Sequence, residues 1–158
     1  MPSNVSIRSL EPRDILLCEE ILNSLPQWFG LEDANAQYLR DLALLPSFVA
    51  LERGEVVGFM ALRYHNPLAS EVRVLAVRPD RHRSGIGRAL VRHAGAELAR
   101  NGVKLLQVKT LGPSDPDPGY QDTRAFYMAL GFIPLEETTA LWGEAQPCLI
   151  MVKPLSGV

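Results

Sequence analysis

A turn rich in arginine and glycine, RHRSGIGRAL, has the residue types in this sequence that are best suited to binding an anion. It follows a valine-rich run typical of a buried strand and opens a run typical of an amphipathic helix, so we expect backbone N–H groups at a helix N-terminus. Gly85 and Gly87 let the backbone approach a ligand closely. Three arginines can neutralise its charge: Arg81, Arg83 and Arg88. The turn favours a phosphate or pyrophosphate site, the alternative being a glycine-tolerant helix start with solvated arginines.

Two common nucleotide-binding patterns do not fit this turn. A dinucleotide fold needs a third glycine or an alanine, where this sequence has Leu90, and an acidic residue at the end of the next strand, where it has Lys109 and Thr110. A mononucleotide P-loop needs Gly-Lys-Ser/Thr after the glycines, which is absent from the sequence. A pyrophosphate held by backbone and arginine remains compatible with the residues.

The elements around the turn predict an α/β fold. Val72 to Val77 form a β-rich run that Pro79 ends, and the helix that begins near Ser84 ends at Asn101-Gly102. A further strand follows at Val103 to Leu111. Because a strand–helix–strand unit of this length makes a right-handed crossover, these two strands should be parallel neighbours.

The rest of the chain predicts antiparallel strands and further helices. The expected elements are a strand near Val5 to Leu10, a helix opened by Glu11-Pro12 with apolar positions that include Leu16, a helix between Gly30 and Pro46, a hairpin of Phe48 to Leu51 with Val56 to Arg63, a loop from Gly112 to Tyr120, a short helix capped by Asp122 and ended by Gly131, and closing strands at Phe132 to Leu135 and Cys148 to Val152.

Composition predicts one soluble domain spanning residues 1–158. The formal net charge of -2 argues against general affinity for nucleic acid or for anionic membranes. Cys18 and Cys148 lie far apart, which supplies neither a zinc site nor a disulfide framework and fits a reducing cytoplasm. The first residues lack a secretory signal, and no apolar tract is long enough to span a bilayer. We therefore expect a cytoplasmic protein without a metal.

Two motifs together resemble the GNAT superfamily of N-acetyltransferases. The glycine pair matches the family signature Gln/Arg-x-x-Gly-x-Gly/Ala, and Tyr127-x-x-x-Gly131-Phe132 is similar to the later motif Tyr-x-x-x-Gly-Phe. The order of elements agrees over essentially the whole chain. There are two departures, since His82 stands where the family usually has Gln or Arg, and Tyr120 stands where it often has Asn.

The resemblance implies a GNAT-like fold and acetyl-CoA as co-substrate. The expected sheet is mixed and mostly antiparallel, with a central splayed parallel pair flanked by helices. The pantetheine arm should lie beside the strand before the turn, and the pyrophosphate on the turn itself. The implied cofactor-binding residues are Leu75, Ala76, Val77, His82, Arg83, Ser84, Gly85, Ile86, Gly87, Arg88 and Tyr127.

The same resemblance suggests catalytic roles. Tyr127 would protonate the departing CoA thiolate, with a core tyrosine as the alternative, and Glu71 would bind and deprotonate the acceptor amine, with an exposed strand-edge glutamate as the alternative. Trp28 and Phe29 either wall a small-molecule pocket or cap the core. Arg124 is either a solvated charge or a contact to cofactor or acceptor.

The sequence thus predicts an enzyme that transfers acetyl from acetyl-CoA to a primary amine by direct attack in a ternary complex. The alternative is a non-catalytic acyl-CoA-binding or regulatory module. The acceptor stays open between a small metabolite, an antibiotic and a protein amine. The expected partners are acetyl-CoA and the amine, without nucleic acid or membrane, and many members of this family form homodimers.

Overall fold

A computed structural model describes residues 4–155 of the chain. It contains seven strands and four α-helices, with short 3-10 turns at Pro12–Asp14 and Pro79–Arg81. In chain order the elements are β1 Val5–Ser9, α1 Ile15–Asn23, α2 Glu32–Leu44, β2 Ser47–Glu52, β3 Glu55–Asn66, β4 Ala69–Val77, α3 Ile86–Arg100, β5 Leu105–Leu111, α4 Pro118–Ala129, β6 Ile133–Thr138 and β7 Cys148–Pro154.

The strands form one seven-stranded sheet in the order β1-β2-β3-β4-β5-β7-β6. The pairs β1–β2, β2–β3, β5–β7 and β6–β7 are antiparallel. β4 and β5 pair in parallel, from Ala69 opposite Leu105 to Glu71 opposite Gln107, and both strands continue beyond these residues. The predicted mixed α/β sheet with one parallel pair joined through a helix is confirmed.

The chain groups into two compact units. Unit 1 consists of the described residues up to Arg63 together with Val72–Glu97, and unit 2 consists of Tyr64–Glu71 with the described residues from Leu98 onward. The expectation of a single domain over the whole chain stays a prediction.

The core of unit 1 forms where α1 and α2 meet the strands. Its buried members include Cys18, Ile21, Leu22, Leu42, Val49, Phe59, Val74 and Ala76. Alternation along β4 buries Val72, Val74 and Ala76 and leaves the residues between them half-exposed. In unit 2 the same period of two buries Leu106, Val108 and Thr110 of β5. Strand alternation therefore fixes which side chains of β4 and β5 can reach a ligand.

Two details of the helices differ from the sequence prediction. Leu16, expected among the apolar positions of the first helix, is 71% exposed, because the buried stripe of α1 runs through Cys18, Ile21 and Leu22. α4 begins at Pro118, with the Asp117 carboxylate accepting a hydrogen bond from the Gly119 amide, so the predicted Asp122 cap is wrong. Proline at the first helical position and aspartate before it are favourable start signals that the proline-rich loop assignment overlooked.

In the part of the chain that the structure describes, no helix is both long enough and apolar enough to cross a membrane.

Both cysteine thiols should be unreactive in the native protein. Cys18 and Cys148 are fully buried, and burial raises the pKa of Cys18 to about 12 and also raises that of Cys148. At mildly alkaline pH each therefore stays a protonated thiol, while thiol reagents attack the thiolate. We expect Ellman's reagent to react with neither until guanidinium unfolds the chain. A Leu16→Cys variant, with an exposed thiol, is the positive control, and prompt labelling of the unmodified native protein would contradict the prediction.

Candidate active site

The turn between β4 and α3, residues 82–88, is called the arginine–glycine turn below. Arg83 has a φ of 64° and Gly85 a φ of 88°, with Ser84 between them at negative φ. Alternation of this kind turns successive N–H groups toward one side, as in anion-binding nests. Ala89 donates to the Gly85 carbonyl at 3.0 Å, so the N–H groups of the preceding first turn of α3 have no intrahelical acceptor. The expected cradle of backbone donors is therefore present.

Two of the three arginines are placed to meet an anion on this turn. Arg83 and Arg88 are exposed, and neither forms an ion pair with any residue between 4 and 155. Arg81, in contrast, donates through Nε to the Glu52 carboxylate, which raises the pKa of Arg81, and its Nη1 lies 3.4 Å from Asp80 Oδ2. Arg81 thus anchors the turn to unit 1, and the free positive charge comes from Arg83 and Arg88.

His82 connects the turn to β4 and to an aromatic residue. Its Nε2 lies 2.8 Å from the Val77 carbonyl oxygen, and its ring packs edge-on against Trp28 with centroids 5.9 Å apart. The His82 imidazole thereby fixes the backbone where β4 ends. Trp28 thereby stands next to the turn within unit 1.

Gly58 on β3 is a close-packing position that the sequence analysis did not identify. A Cβ there would meet the Ala76 carbonyl oxygen and an Ile86 methyl at 3.2 Å and a Val77 methyl at 3.3 Å. The absence of a side chain lets β3 approach both the end of β4 and the start of α3. The signal in the sequence was a glycine inside an apolar strand, which often marks a close approach of another backbone.

Side chains of α2, β3 and β4 form a charged and aromatic cluster that the sequence analysis did not predict. Asp41 on α2 is only 5% exposed, and its Oδ2 accepts from Arg73 Nε at 2.8 Å and lies 3.8 Å from Arg63 Nη2. The Arg73 guanidinium lies over the Tyr38 ring, 4.8 Å from the centroid. Tyr38 in turn packs edge-on against Phe29 at 5.8 Å. We call Asp41, Arg73, Tyr38 and Arg63 the arginine cluster.

Trp28 and Phe29 cap the core, which is one of the two roles expected for them. Both are half-buried and pack against the unit 1 core. Phe29 also accepts a hydrogen bond on its carbonyl from Asn35 Nδ2 at 2.7 Å, which holds the turn before α2. The aromatic turn caps the core and presents its rings toward His82 and Tyr38.

Glu71 in unit 2 is a buried carboxylate with two partners, not an exposed strand-edge residue. It is 6% exposed, and Lys109 Nζ lies 3.2 Å from Oε1 and 3.1 Å from Oε2. His65 Nε2 lies 2.8 Å from Oε1, with the His65 side chain 38% exposed. His65 has no sequence signal for this role, because the contact forms only when β3 and β4 pair around their connecting turn.

Tyr127 lies on α4 in unit 2 and is held by aromatic neighbours. Its ring packs edge-on against Phe126 at 5.0 Å and Phe132 at 5.2 Å, and the residue is 6% exposed. Burial raises the pKa of the Tyr127 phenol above its usual value of about 10. The phenol is therefore protonated at neutral pH.

Arg124 and the loops of unit 2 have structural roles. Arg124 is 9% exposed and donates through Nη1 to the Leu111 carbonyl at 2.7 Å, so it is not a solvated charge. Glu137 accepts from the Ser114 amide and hydroxyl at 3.0 and 2.8 Å. The loop between β5 and α4 and the loop between β6 and β7 border an open groove of about 530 Å³. It is lined by Ser114, Asp115, Pro116, Glu137, Thr138, Thr139, Glu144, Ala145 and Pro147.

Among residues 4–155, no group of three or more histidine, cysteine, aspartate or glutamate side chains is arranged to hold a metal ion.

Comparison with known structures supports the fold. A GNAT-family protein from Desulfovibrio desulfuricans superposes with a TM-score of 0.82 at 22% identity, covering 96% of this chain and 99% of the other. A GNAT family acetyltransferase from Elizabethkingia anophelis, with acetyl-CoA bound, gives a TM-score of 0.71 at 16% identity, covering 97% of this chain and 99% of the other. At these identities the likeness establishes the architecture.

Comparison of sequences establishes the family. An uncharacterized N-acetyltransferase of Chlorobaculum tepidum is 29% identical over 115 residues, which cover 71% of this chain and 64% of the relative. The chain thus matches just under two thirds of that relative's length. A model of the acetyltransferase (GNAT) domain matches residues 45–134, which include the arginine–glycine turn, Glu71 and Tyr127. More than half of the chain fits this model, and the protein belongs to the GNAT acetyltransferase family.

Proposed function

We propose that this protein transfers the acetyl group of acetyl-CoA to a primary amine by direct attack in a ternary complex. The observation that carries the proposal is the arginine–glycine turn. Two left-handed residues and a helix N-terminus present backbone N–H groups there, flanked by the exposed Arg83 and Arg88. Acetyl-CoA is the ligand that fits the family, since it is bound in the Elizabethkingia relative.

The cofactor is assigned to unit 1 along two elements. The pyrophosphate lies on the N–H groups of residues 83–88, with Arg83 and Arg88 as counter-charges. The pantetheine arm runs beside Leu75, Ala76 and Val77 at the end of β4. An extended arm against a strand edge makes backbone hydrogen bonds, and a strand N–H can then donate to the thioester oxygen where negative charge develops.

Tyr127 is assigned as the proton donor. The neutral amine nitrogen attacks the thioester carbonyl carbon, a tetrahedral intermediate forms, and the C–S bond breaks as the carbonyl is restored. The leaving CoA sulfur receives the Tyr127 phenol proton, and the proton that the attacking nitrogen loses on becoming an amide returns to the phenolate through water. The raised pKa of the buried phenol keeps that proton in place until the thiolate forms.

Glu71 is assigned as the group that removes a proton from the acceptor ammonium, directly or through a water molecule. His65 adds a second route, because Nε2 hydrogen bonds Glu71 while the side chain is 38% exposed. An imidazole held by a buried carboxylate is a suitable proton carrier. Lys109 keeps the buried carboxylate compensated by a positive charge.

The proposed setting is a cytoplasmic enzyme whose partners are acetyl-CoA and a free amine, and its oligomeric state stays open, with a homodimer as one of the alternatives. A formal net charge of -2 does not favour binding to nucleic acid or to an anionic membrane. Release of free CoA thiol separates this proposal from a non-catalytic acyl-CoA-binding module, which would bind acetyl-CoA without turnover on any amine.

Gly85→Ala should weaken acetyl-CoA binding. A φ of 88° is open to glycine and costs an alanine about 1–2 kcal/mol, so the turn will shift or lose stability. We expect the Kd for acetyl-CoA, measured by calorimetry, to rise about tenfold, which corresponds to 1.4 kcal/mol. Gly102→Ala is the matched control, because Gly102 has a φ of 87° and open space around its Cβ position. Equal losses of affinity in the two variants would contradict the assignment.

Tyr127→Phe should lower kcat by about 10²–10⁴, the usual contribution of a general acid, while the ring packing against Phe126 and Phe132 is kept. The measurement is thiol release at saturating acetyl-CoA. Tyr64→Phe, which removes a hydroxyl from a residue that is 42% exposed, should leave kcat unchanged. An unaltered kcat in Tyr127→Phe would exclude the phenol from the reaction.

Glu71→Gln should lower kcat/KM and change the acidic limb of its pH profile, because the carboxylate proposed to accept the amine proton, directly or with His65, is gone. The acidic limb that remains should follow the ionisation of the amine and of His65. Glu20→Gln, an exposed substitution on α1, controls for loss of a surface carboxylate. Persistence of the same acidic limb in Glu71→Gln would show that Glu71 is not the base.

A further inference from the structure

The ion pair in the arginine cluster of unit 1 uses only one edge of the Arg73 guanidinium. The buried Asp41 carboxylate accepts from Arg73 Nε at 2.8 Å and from Gln37 Nε2 at 2.9 Å, with Arg63 Nη2 at 3.8 Å. The positive charge at the Nη edge of Arg73 is therefore open to an anion.

Arg73 presents this charge in a fixed orientation. Its Nε is occupied by Asp41, and its guanidinium plane rests over the Tyr38 ring at 4.8 Å. Within residues 4–155, neither Nη group has a hydrogen-bond partner, and the side chain is 23% exposed. The outer edge of a guanidinium offers two parallel N–H donors, the geometry that matches a carboxylate.

The cluster is tied to the proposed cofactor site within unit 1. Strand alternation puts Arg73 on the same half-exposed face of β4 as Leu75, about 7 Å before it. The Tyr38 ring that supports Arg73 contacts Phe29, and the neighbouring Trp28 contacts His82 of the arginine–glycine turn. The Arg73 side chain therefore lies on the face of β4 to which the pantetheine arm is assigned, two residues before Leu75.

We propose that the acceptor amine carries a carboxylate, which binds end-on to the Nη groups of Arg73, with Arg63 adding positive charge. This inference rests on the proposed acetyltransferase function and names the substrate class of the same site: a free amino acid or another small amino-carboxylic acid. A polycationic amine would meet two guanidinium groups here and would be repelled. A peptide N-terminus, whose carboxyl group is an amide, would leave the fork empty.

The test compares free amino acids with their carboxamides as acceptors. Thiol release from acetyl-CoA is measured for L-phenylalanine, L-leucine, β-alanine and γ-aminobutyrate, for each carboxamide, and for spermidine as a polycationic amine. We expect kcat/KM to favour at least one carboxylate over its carboxamide by about 10–100-fold, the usual effect of a charge-assisted pair of hydrogen bonds. Spermidine should be the poorest acceptor.

Three variants assign that preference to Arg73. Arg73→Gln should bring the ratio of kcat/KM for acid and amide close to unity. Arg73→Lys keeps the charge that compensates Asp41, so it folds even if Arg73→Gln does not, and it should keep only part of the preference because the fork is lost. Arg13→Gln removes a guanidinium that is 74% exposed and pairs with Glu11, outside the cluster, and should change nothing.

The outcomes separate this inference from the function on which it rests. Turnover of acids and carboxamides with equal efficiency, or a preference that Arg73→Gln and Arg73→Lys leave intact, would overturn the acceptor assignment alone. Preference for spermidine would overturn it as well. Absence of thiol release with every amine, in protein that binds acetyl-CoA, would overturn the acetyltransferase proposal and the acceptor assignment together.

Discussion

The backbone between β4 and α3 must pass twice through the left-handed region before the helix can begin. Arg83 does so at a cost that glycine would avoid, and Gly85 does so freely. The strained turn is held by Arg81 on Glu52, by the Ser84 hydroxyl on the Arg81 carbonyl, and by His82 on the Val77 carbonyl. These contacts hold the conformation in which the N–H groups at the helix start face one side, the feature on which the proposed pyrophosphate site rests.

Buried carboxylates organise the rest of the protein, and each is compensated in its own way. Asp14 is bound by two nitrogens of Arg8 at 2.7 and 3.1 Å, an arrangement that lowers the pKa of Asp14 and serves the fold. Asp41 and Glu71 instead each face two groups able to carry positive charge. Burial without such partners would be costly.

Much of the architecture followed from local patterns, and the errors have local causes. The strand before the turn, the helix ended by Gly102 and the parallel strand after it appear where valine periodicity and glycine signals put them. α4 starts earlier than predicted because Asp117-Pro118 is a helix start as well as a loop signal. α1 has more apolar residues than fit on one buried stripe, so Leu16 lies outside the stripe and is exposed.

The sequence by itself determined the arginine–glycine turn, the tyrosine motif and the order of elements, since these depend on residues close together in the chain. Only the tertiary structure decided which charges meet. His65 reaches Glu71 through a strand pairing, and Arg73 reaches Asp41 from an element 32 residues away. Such contacts produce no periodic pattern in the sequence, because each of them needs only one side chain from each element. Arg124 is also buried, with its guanidinium bonded to the Leu111 carbonyl, and no local sequence pattern predicts that burial.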